Sequence, residues 1–315
     1  MSPEYVRKLT IFVLSDARSG STILDQCLGG HPNIVSLGEV HWLPAYAVQD
    51  RSRYDPDHPL VCTCGLSVAD CPFWSSVAER LHQPLETLQL HAGSNRANRI
   101  GSNCRLGSWL SLVGEYCPSL YRIDFLRKII VGRRLGKDCI ALYDAASSVS
   151  GRQVCVDSSK SAVRFRDVYA EDPARTRAII LTRDVRAVVH SKMKRGRTLE
   201  AAAKGWKRKM LQIESLVGDV PRNDIHVLRY ESLCQDPQAE LRNVCAFLDL
   251  EMSDAMLQRA TEGTHHVGGS PSKFDKGRIA IVEDKSYEQG LDRNQVSRIA
   301  VLVGSVAKRW GYQSD

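Results

Sequence analysis

The chain has 315 residues, of which 43% are hydrophobic and 25% are charged, and its formal net charge is +7. These values are ordinary for a globular protein with a sizeable core, and they exclude a disordered or fibrous chain. The mild basic excess favours an anionic ligand, but it is too small to indicate a nucleic-acid-binding protein.

The sequence has no segment typical of export or of membrane insertion. The first apolar run, Leu9–Leu14, is ended by Asp16 and is shorter than the core of a secretory signal. No stretch approaches the roughly 20 apolar residues of a membrane span. We therefore expect a cytoplasmic protein with mostly reduced thiols, and a secreted disulfide-bonded protein is the alternative.

Strands alternate with helices along most of the chain. Leu9–Leu14 is a continuous β-rich apolar run, and Ser21–Leu28 has the pattern of a helix. Later segments repeat this order, with strands predicted over 154–157, 177–182 and 224–230 and helices over 185–194, 199–216, 238–248 and 294–310. This alternation predicts an α/β fold with a central parallel sheet. Residues 41–137 interrupt the pattern, so we predict a single domain over 1–315 with a helical insertion at 41–137.

The turn between the first strand and the first helix has the features of an anion-binding loop. Backbone N–H groups and the helix N-terminus favour negative charge there, and Gly20 allows close approach of the backbone to a ligand. Further donors come from one guanidinium and three hydroxyl groups: Arg18, Ser19, Ser21 and Thr22. An ordinary capped turn is the alternative.

This turn is not a Walker A loop. Ser15 stands where that pattern needs its first glycine, and Ser21 stands where it needs lysine. The missing lysine argues against ATP or GTP hydrolysis, because that lysine normally reaches the β- and γ-phosphates.

A second segment with phosphate-binding character runs from the end of a predicted strand into a helix. Arg183 would lie at the carboxyl edge of the sheet, where α/β proteins bind ligands. Ser191 lies about two turns along the following helix. The two side chains can converge on one phosphate, and a helix cap with an ion pair is the alternative.

Together these two segments resemble the nucleotide-binding motifs of sulfotransferases that use 3′-phosphoadenosine 5′-phosphosulfate (PAPS). Arg18–Thr22 is similar to the 5′-phosphosulfate loop of that family, and Arg183–Ser191 is similar to its 3′-phosphate motif. Further family-like features follow in order: Val156–Lys160, Trp206, Leu228–Leu233 and a basic C-terminal segment. The resemblance implies a P-loop-like three-layer sandwich and sulfuryl transfer from PAPS to a hydroxyl or amine, with no metal required.

The resemblance also implies roles for individual residues. Arg18 would stabilise the leaving 5′-phosphate, and Lys160 is a candidate for contact with the bridging or sulfonate oxygens. Gly38–His41 is similar to the tyrosylprotein sulfotransferase pattern, which makes Glu39 the first choice of base. His41 is the second choice, because its ordinary pKa suits base chemistry near neutral pH. The residues expected to bind PAPS are Arg18, Ser19, Gly20, Ser21, Thr22, Arg183, Ser191, Trp206, Tyr230, Lys273 and Arg278.

The sequence is compatible with three classes of acceptor: a small molecule, a lipid or a glycan. Aromatic residues in 41–137 suit an apolar acceptor, whereas arginines in the same stretch suit an acidic one. Two other functions compete with sulfuryl transfer: a P-loop nucleotide kinase or NTPase, and a nucleotide-binding protein without catalysis.

Three of the ten cysteines are concentrated in one segment, as Cys62, Cys64 and Cys71. They suit a zinc site completed by His58, Cys104 or Cys117, a disulfide, or free packed thiols. His265 and His266 have no third ligand near them in sequence, so we expect no metal there. Another three cysteines lie in apolar patterns and are expected in the core: Cys27, Cys155 and Cys245.

Overall fold

The computed structural model describes residues 8–52, 59–90, 134–258, 264–275, 279 and 281–312. Within these ranges, five parallel strands form one sheet in the spatial order β2-β3-β1-β4-β5. The strands are β1 (Leu9–Leu14), β2 (Ile34–Ser36), β3 (Val154–Asp157), β4 (Thr176–Thr182) and β5 (Ile225–Arg229). Thr10 of β1 lies opposite both Cys155 and Thr176.

The helices are α1 (Ser21–Gly29), α2 (Leu43–Ala47), α3 (Pro72–Leu81), α4 (Leu135–Ser150), α5 (Ala162–Glu171), α6 (Val185–Met193), α7 (Leu199–Val217), α8 (Tyr230–Gln235), α9 (Pro237–Phe247), α10 (Tyr287–Gly290) and α11 (Arg293–Arg309). A helix long and apolar enough to cross a membrane is not found among the residues that the structure describes.

Apolar side chains of the central strand are buried on both faces of the sheet. Ile11 and Val13 pack in a cluster with α1 and α9, whereas Phe12 and Leu14 pack on the opposite side with α4, α5 and α7. A strand buried on both faces needs a continuous apolar run, which is the pattern of β1. The result is a helix–sheet–helix sandwich, so the predicted α/β fold with a central parallel sheet is confirmed.

Most predicted elements lie where the sequence places them. The strands at 9–14 and 154–157 match residue for residue, and other predicted boundaries move by one residue. The sequence analysis missed five elements, β2, α4, α5, α8 and α10, and it covered α2 and α3 only as part of the predicted helical insertion. In the described parts of the insertion, residues 41–52, 59–90 and 134–137, the structure has helices and turns. The predicted domain limits stay a prediction.

Three cysteines occupy the predicted core positions. Cys27 and Cys245 are buried on one side of the sheet, and Cys155 is buried on the other. They act as small apolar residues in these clusters.

The topology brings the candidate site to one edge of the sheet. The chain leaves β1 in the centre, and its neighbours β3 and β4 lie on opposite sides of it. A crevice at the carboxyl ends of the strands forms where the strand order reverses, and ligands of α/β proteins bind there. The turns after β1, β3 and β4 carry Arg18, Lys160 and Arg183.

Candidate active site

The predicted anion-binding loop wraps closely against an aromatic ring. Gly20 precedes α1 with a φ of 88°, in the left-handed region. A Cβ atom added at this position would lie 2.4 Å from Cδ2 of Tyr230. Both the backbone angle and the close ring therefore require glycine here. Tyr230 follows β5, so the ring of a distant segment forms one wall of the loop.

The two predicted phosphate motifs are in direct contact. The Nε of Arg18 donates a hydrogen bond of 3.0 Å to Oγ of Ser191. Arg183 donates from Nη1 to the carbonyl oxygen of Arg18 at 2.9 Å, and its guanidinium lies 4.4 Å from the ring centroid of Tyr230. The fold therefore brings residues that follow three strands, β1, β4 and β5, into one basic site.

Positive charge is concentrated around Arg18. Burial lowers the pKa of its guanidinium, and the nearby cations Arg195 and Arg183 lower it further, while Asp284 raises it. Cations that raise each other's energy in a partly buried site favour an anion between them. Arg195 was missed by the sequence analysis, because it lies after α6 and outside both motifs.

Lys160 and Glu39 form an ion pair that lines the same cavity as the loop. The Nζ of Lys160 donates to Oε1 of Glu39, and both side chains are largely buried. Lys160 has a φ of 60°, which is uncommon for a residue with a side chain. Such strain persists where the surrounding structure imposes it, often at functional sites.

A buried polar network holds the turn that carries Lys160. Asp157 at the end of β3 accepts a hydrogen bond of 2.8 Å from the amide of Ser159. Its other oxygen accepts from Arg164 at 2.7 Å and from the hydroxyl of Tyr143 at 2.6 Å. Since Asp157 and Arg164 are almost fully buried, removing either partner would leave an uncompensated charge.

Glu39 is fixed by the C-terminal segment 264–275. Its amide donates to the carbonyl of Val267 at 2.8 Å, and Gly38 forms a parallel bridge with the same residue. A Cβ on Gly268 would lie 2.7 Å from Cβ of Glu39, so glycine lets the two segments meet. The C-terminal segment 264–275 therefore borders the candidate base.

Lys273 lies in this segment and is buried. Burial lowers the pKa of its ammonium group to about 8. Its Nζ has no hydrogen-bond partner among the described residues and lies 5.6 and 4.9 Å from the ring centroids of Tyr46 and Phe274. It lines a small recess together with Glu39 and Lys160. Lys276 and Arg278 lie outside the described residues.

Two adjoining cavities meet at these side chains. The smaller has a volume of about 570 Å³ and is lined by residues that include Thr22, Glu39, Arg183 and Tyr230. The larger has about 880 Å³ and includes His41. Four residues line both cavities: Ala17, Arg18, Lys160 and Arg195. Both volumes fall in the range of small-molecule sites, about 300–1,000 Å³.

Four predicted site residues are placed differently from the others. Trp206 was predicted to bind the cofactor, but it is buried among core residues of α7 and lines neither cavity. Ser19 is a buried residue of the loop, and neither Ser19 nor Ser191 lines either cavity. His41 faces the larger cavity, and its amide donates to Oγ of Ser159 at 3.2 Å.

Comparison with known proteins agrees with this geometry. Residues 144–254, which include Lys160, Arg183, Ser191 and Tyr230, match the model of the sulfotransferase family. No curated protein sequence matches the chain.

Two solved structures have the same fold. One is the sulfotransferase domain from the Synechococcus PCC 7002 olefin synthase, with 18% identity, coverage of 99% of this chain and 98% of that one, and a TM-score of 0.50. The other is the sulfotransferase domain from the curacin biosynthetic pathway, with 19% identity, coverage of 95% and 98%, and a TM-score of 0.50. The family-model match confirms the resemblance to the sulfotransferase family over residues 144–254, and the two solved structures support the fold.

Proposed function

We propose that this protein transfers a sulfuryl group from PAPS to a hydroxyl or amine of an acceptor. The observation that carries the proposal is the contact between the two phosphate motifs through Arg18 and Ser191. It lies beside the ion pair of Lys160 and Glu39. Phosphate-binding cations and a candidate base thus share one crevice.

The smaller cavity suits PAPS, which carries anionic groups at both ends. The loop 18–22 and Arg18 would bind the 5′-phosphosulfate, and Arg183 with Ser191 would bind the 3′-phosphate. Tyr230 would contact the nucleotide from the opposite wall. The crowded guanidiniums that lower the pKa of Arg18 fit a ligand with this charge.

The residues at the junction of the cavities suit an in-line transfer. Glu39 would accept the proton of the acceptor hydroxyl as that oxygen bonds to sulfur. Lys160 and Arg18 would stabilise the 5′-phosphate as its bond to sulfur breaks, leaving 3′-phosphoadenosine 5′-phosphate (PAP). Such preorganised cations act where charge develops, so the transfer needs no metal ion. His41, which lines the acceptor side, is the alternative base.

The larger cavity suits an acceptor with negative charge. Its described lining has one carboxylate, Asp16, which pairs with Lys192. The cations in the same lining are Arg18, Lys160, Arg164, Lys192, Arg195, Arg197, Arg208 and Lys209. A small anionic molecule is therefore favoured over an uncharged lipid. The domains of an olefin synthase and of the curacin biosynthetic pathway, by their names, also belong to small-molecule chemistry.

The experiment is an acceptor screen with labelled PAPS and a library of anionic and neutral small molecules. We expect label transfer to a hydroxyl or amine of an anionic acceptor, with stoichiometric release of PAP. Phosphate transfer from ATP and Mg²⁺ to the same library, without transfer from PAPS, would instead establish the kinase alternative. Tight PAP binding without transfer to any acceptor would favour a non-catalytic nucleotide-binding protein.

The proposed compartment is the cytoplasm. The cysteines in the described ranges are free, which fits a reducing environment. Thiol labelling in intact cells tests this point, and disulfide-bonded protein in freshly blocked extracts would contradict it.

A further inference from the structure

Three thiols and one imidazole come together beside the active-site segment, outside the groups used for sulfuryl transfer. Cys62, Cys64, Cys71 and His265 each direct one ligand atom inward, and these four atoms lie within 4.8 Å of one another. His265 is 194 positions from Cys71 in the sequence. The fold therefore brings His265 close to three cysteines that are distant from it in the sequence.

Four of the six ligand–ligand distances in the cluster are close to those around a tetrahedral zinc ion. With Zn–S of about 2.3 Å and Zn–N of about 2.0–2.1 Å, two sulfurs lie about 3.8 Å apart, and a sulfur and a nitrogen about 3.6 Å. The Sγ of Cys71 lies 3.6 Å from that of Cys64 and 3.7 Å from that of Cys62. The Nδ1 of His265 lies 3.3 Å from Sγ of Cys71 and 3.6 Å from Sγ of Cys62.

Local structure holds each ligand in place. The amide of Gly65, which has a φ of 88°, donates to the carbonyl of Cys62 at 2.9 Å and closes a tight turn. Cys71 caps the N-terminus of α3. The ring of His265 stacks on Phe73 at 4.7 Å between centroids and 6° between planes. The four ligand atoms are thus supplied by a turn, a helix end and a stacked ring.

We propose that Cys62, Cys64, Cys71 and His265 bind one structural zinc ion. Three thiolates and an imidazole are a closed set of four ligands, which is typical of structural zinc and leaves no position for a substrate. Softer thiolate ligands also exclude Mg²⁺ and Ca²⁺. The proposal therefore replaces the expectation of no metal at His265, and the ion would take no part in sulfuryl transfer. The fourth ligands considered from the sequence, His58, Cys104 and Cys117, lie outside the described residues.

The zinc ion would tie the segment 264–275 to the loop that follows the insertion's first helix. Thr63 already links the two, since its Oγ1 donates to the carbonyl of Thr264 at 2.7 Å and its amide donates to the carbonyl of His266 at 3.2 Å. Val267, two residues beyond His265, holds the amide of Glu39. A metal at His265 therefore fixes the segment that borders the candidate base and Lys273.

The test is the metal content of the full chain, purified under reducing conditions with a tag that binds no metal. We expect one zinc ion per chain by mass spectrometry. After replacement by Co²⁺, we expect visible bands of tetrahedral Co²⁺ with thiolate charge transfer. Protein that contains no zinc and shows no thiolate-bound Co²⁺ spectrum would overturn the proposal. A Cys64–Cys71 or Cys62–Cys71 disulfide in freshly thiol-blocked protein would overturn it as well.

Two variants locate the site, and a third is the control. Cys64→Ser changes an exposed side chain, and His265→Gln removes the distant ligand. We expect both variants to lose zinc to a chelator at least tenfold faster than the unmodified protein. Cys234→Ala, which lies outside the cluster, should lose zinc at the rate of the unmodified protein. Faster amide hydrogen exchange in 264–275 should accompany the loss. Zinc retention equal to that of the unmodified protein in both ligand variants would refute the assignment, whatever the outcome for sulfuryl transfer.

Discussion

The ammonium group of Lys160 donates to the carboxylate of Glu39, 121 positions away in the sequence. The contact joins the turn after β3 to the stretch that follows β2. Both side chains are largely buried, so the ion pair is partly shielded from water. In the proposed reaction, it also places the candidate base next to the cation expected at the leaving group.

Replacing the candidate base should separate binding from transfer. We expect Glu39→Gln to lower kcat by about 10²–10⁴-fold, the usual contribution of a positioned general base. PAP affinity should change little, because glutamine keeps the shape of the side chain. Calorimetry with PAP and steady-state transfer assays measure the two effects. Glu79→Gln, on the exposed side of α3, is the matched control, and undiminished transfer by Glu39→Gln would remove Glu39 from the mechanism.

The glycine in the loop should not tolerate a methyl group. Gly20→Ala places a Cβ 2.4 Å from Tyr230 and forces alanine to a φ of 88°. The backbone strain alone costs about 1–3 kcal/mol of unfolding free energy, and the displaced ring should abolish PAP binding. Gly205→Ala in α7 is the control, since its Cβ meets open space and alanine favours the helix. Equal PAP affinity in the two variants would contradict the loop geometry.

The second phosphate motif should control nucleotide selectivity. Ser191→Ala and Arg183→Met remove groups assigned to the 3′-phosphate, and hydrogen bonds to charged groups contribute about 1.5–3 kcal/mol each. We therefore expect a loss of about 10–100-fold in PAP affinity, with a much smaller effect on ADP, which lacks a 3′-phosphate. Competition binding measures the ratio. An equal loss of affinity for PAP and for ADP would show that the motif does not recognise the 3′-phosphate.

Lys273 should destabilise the unliganded protein near neutral pH. Its pKa of about 8 is below the ordinary lysine value because burial disfavours the charged ammonium. The folded state therefore binds this proton less strongly than the unfolded state, and stability rises with pH between about 8 and 10.5. Lys273→Met should be more stable at pH 7 by about 1–3 kcal/mol. It should also bind PAP more weakly.

Urea unfolding at pH 7, 8 and 9 measures the difference between Lys273→Met and the unmodified protein. The excess unfolding free energy of the variant should decrease above pH 8, because the native lysine loses its proton there. A difference in unfolding free energy that is constant from pH 7 to 9, or a variant less stable than the unmodified protein, would contradict the assignment of a buried charge.

The sequence predicted the elements whose patterns are local. β1 and β3 are continuous apolar runs, so both their positions and their burial follow from composition. β2 has three residues after a Pro-Asn turn, which is too short to produce a periodic signal. The sequence analysis also lacked α4 and α5, although α4 is 16 residues long.

The sequence identified individual site residues, but it did not predict which of them would be in contact. The motifs identified Arg18, Arg183 and Lys160, since each lies at the end of a strand. The pairing of Glu39 with Lys160 and the approach of His265 to Cys71 depend on segments more than 100 positions apart. The burial of Trp206 was not predictable either, because a family-like position on a helix does not determine which side of the helix is buried.

The most direct test of the central claim is a comparison of PAP with ADP and with ATP plus Mg²⁺ by calorimetry on the full chain. The account predicts that PAP binds at least tenfold more tightly than ADP, without added metal, and that Arg183→Met removes the preference. The absence of PAP binding at high ligand excess, or tighter binding of ATP with Mg²⁺, would contradict it.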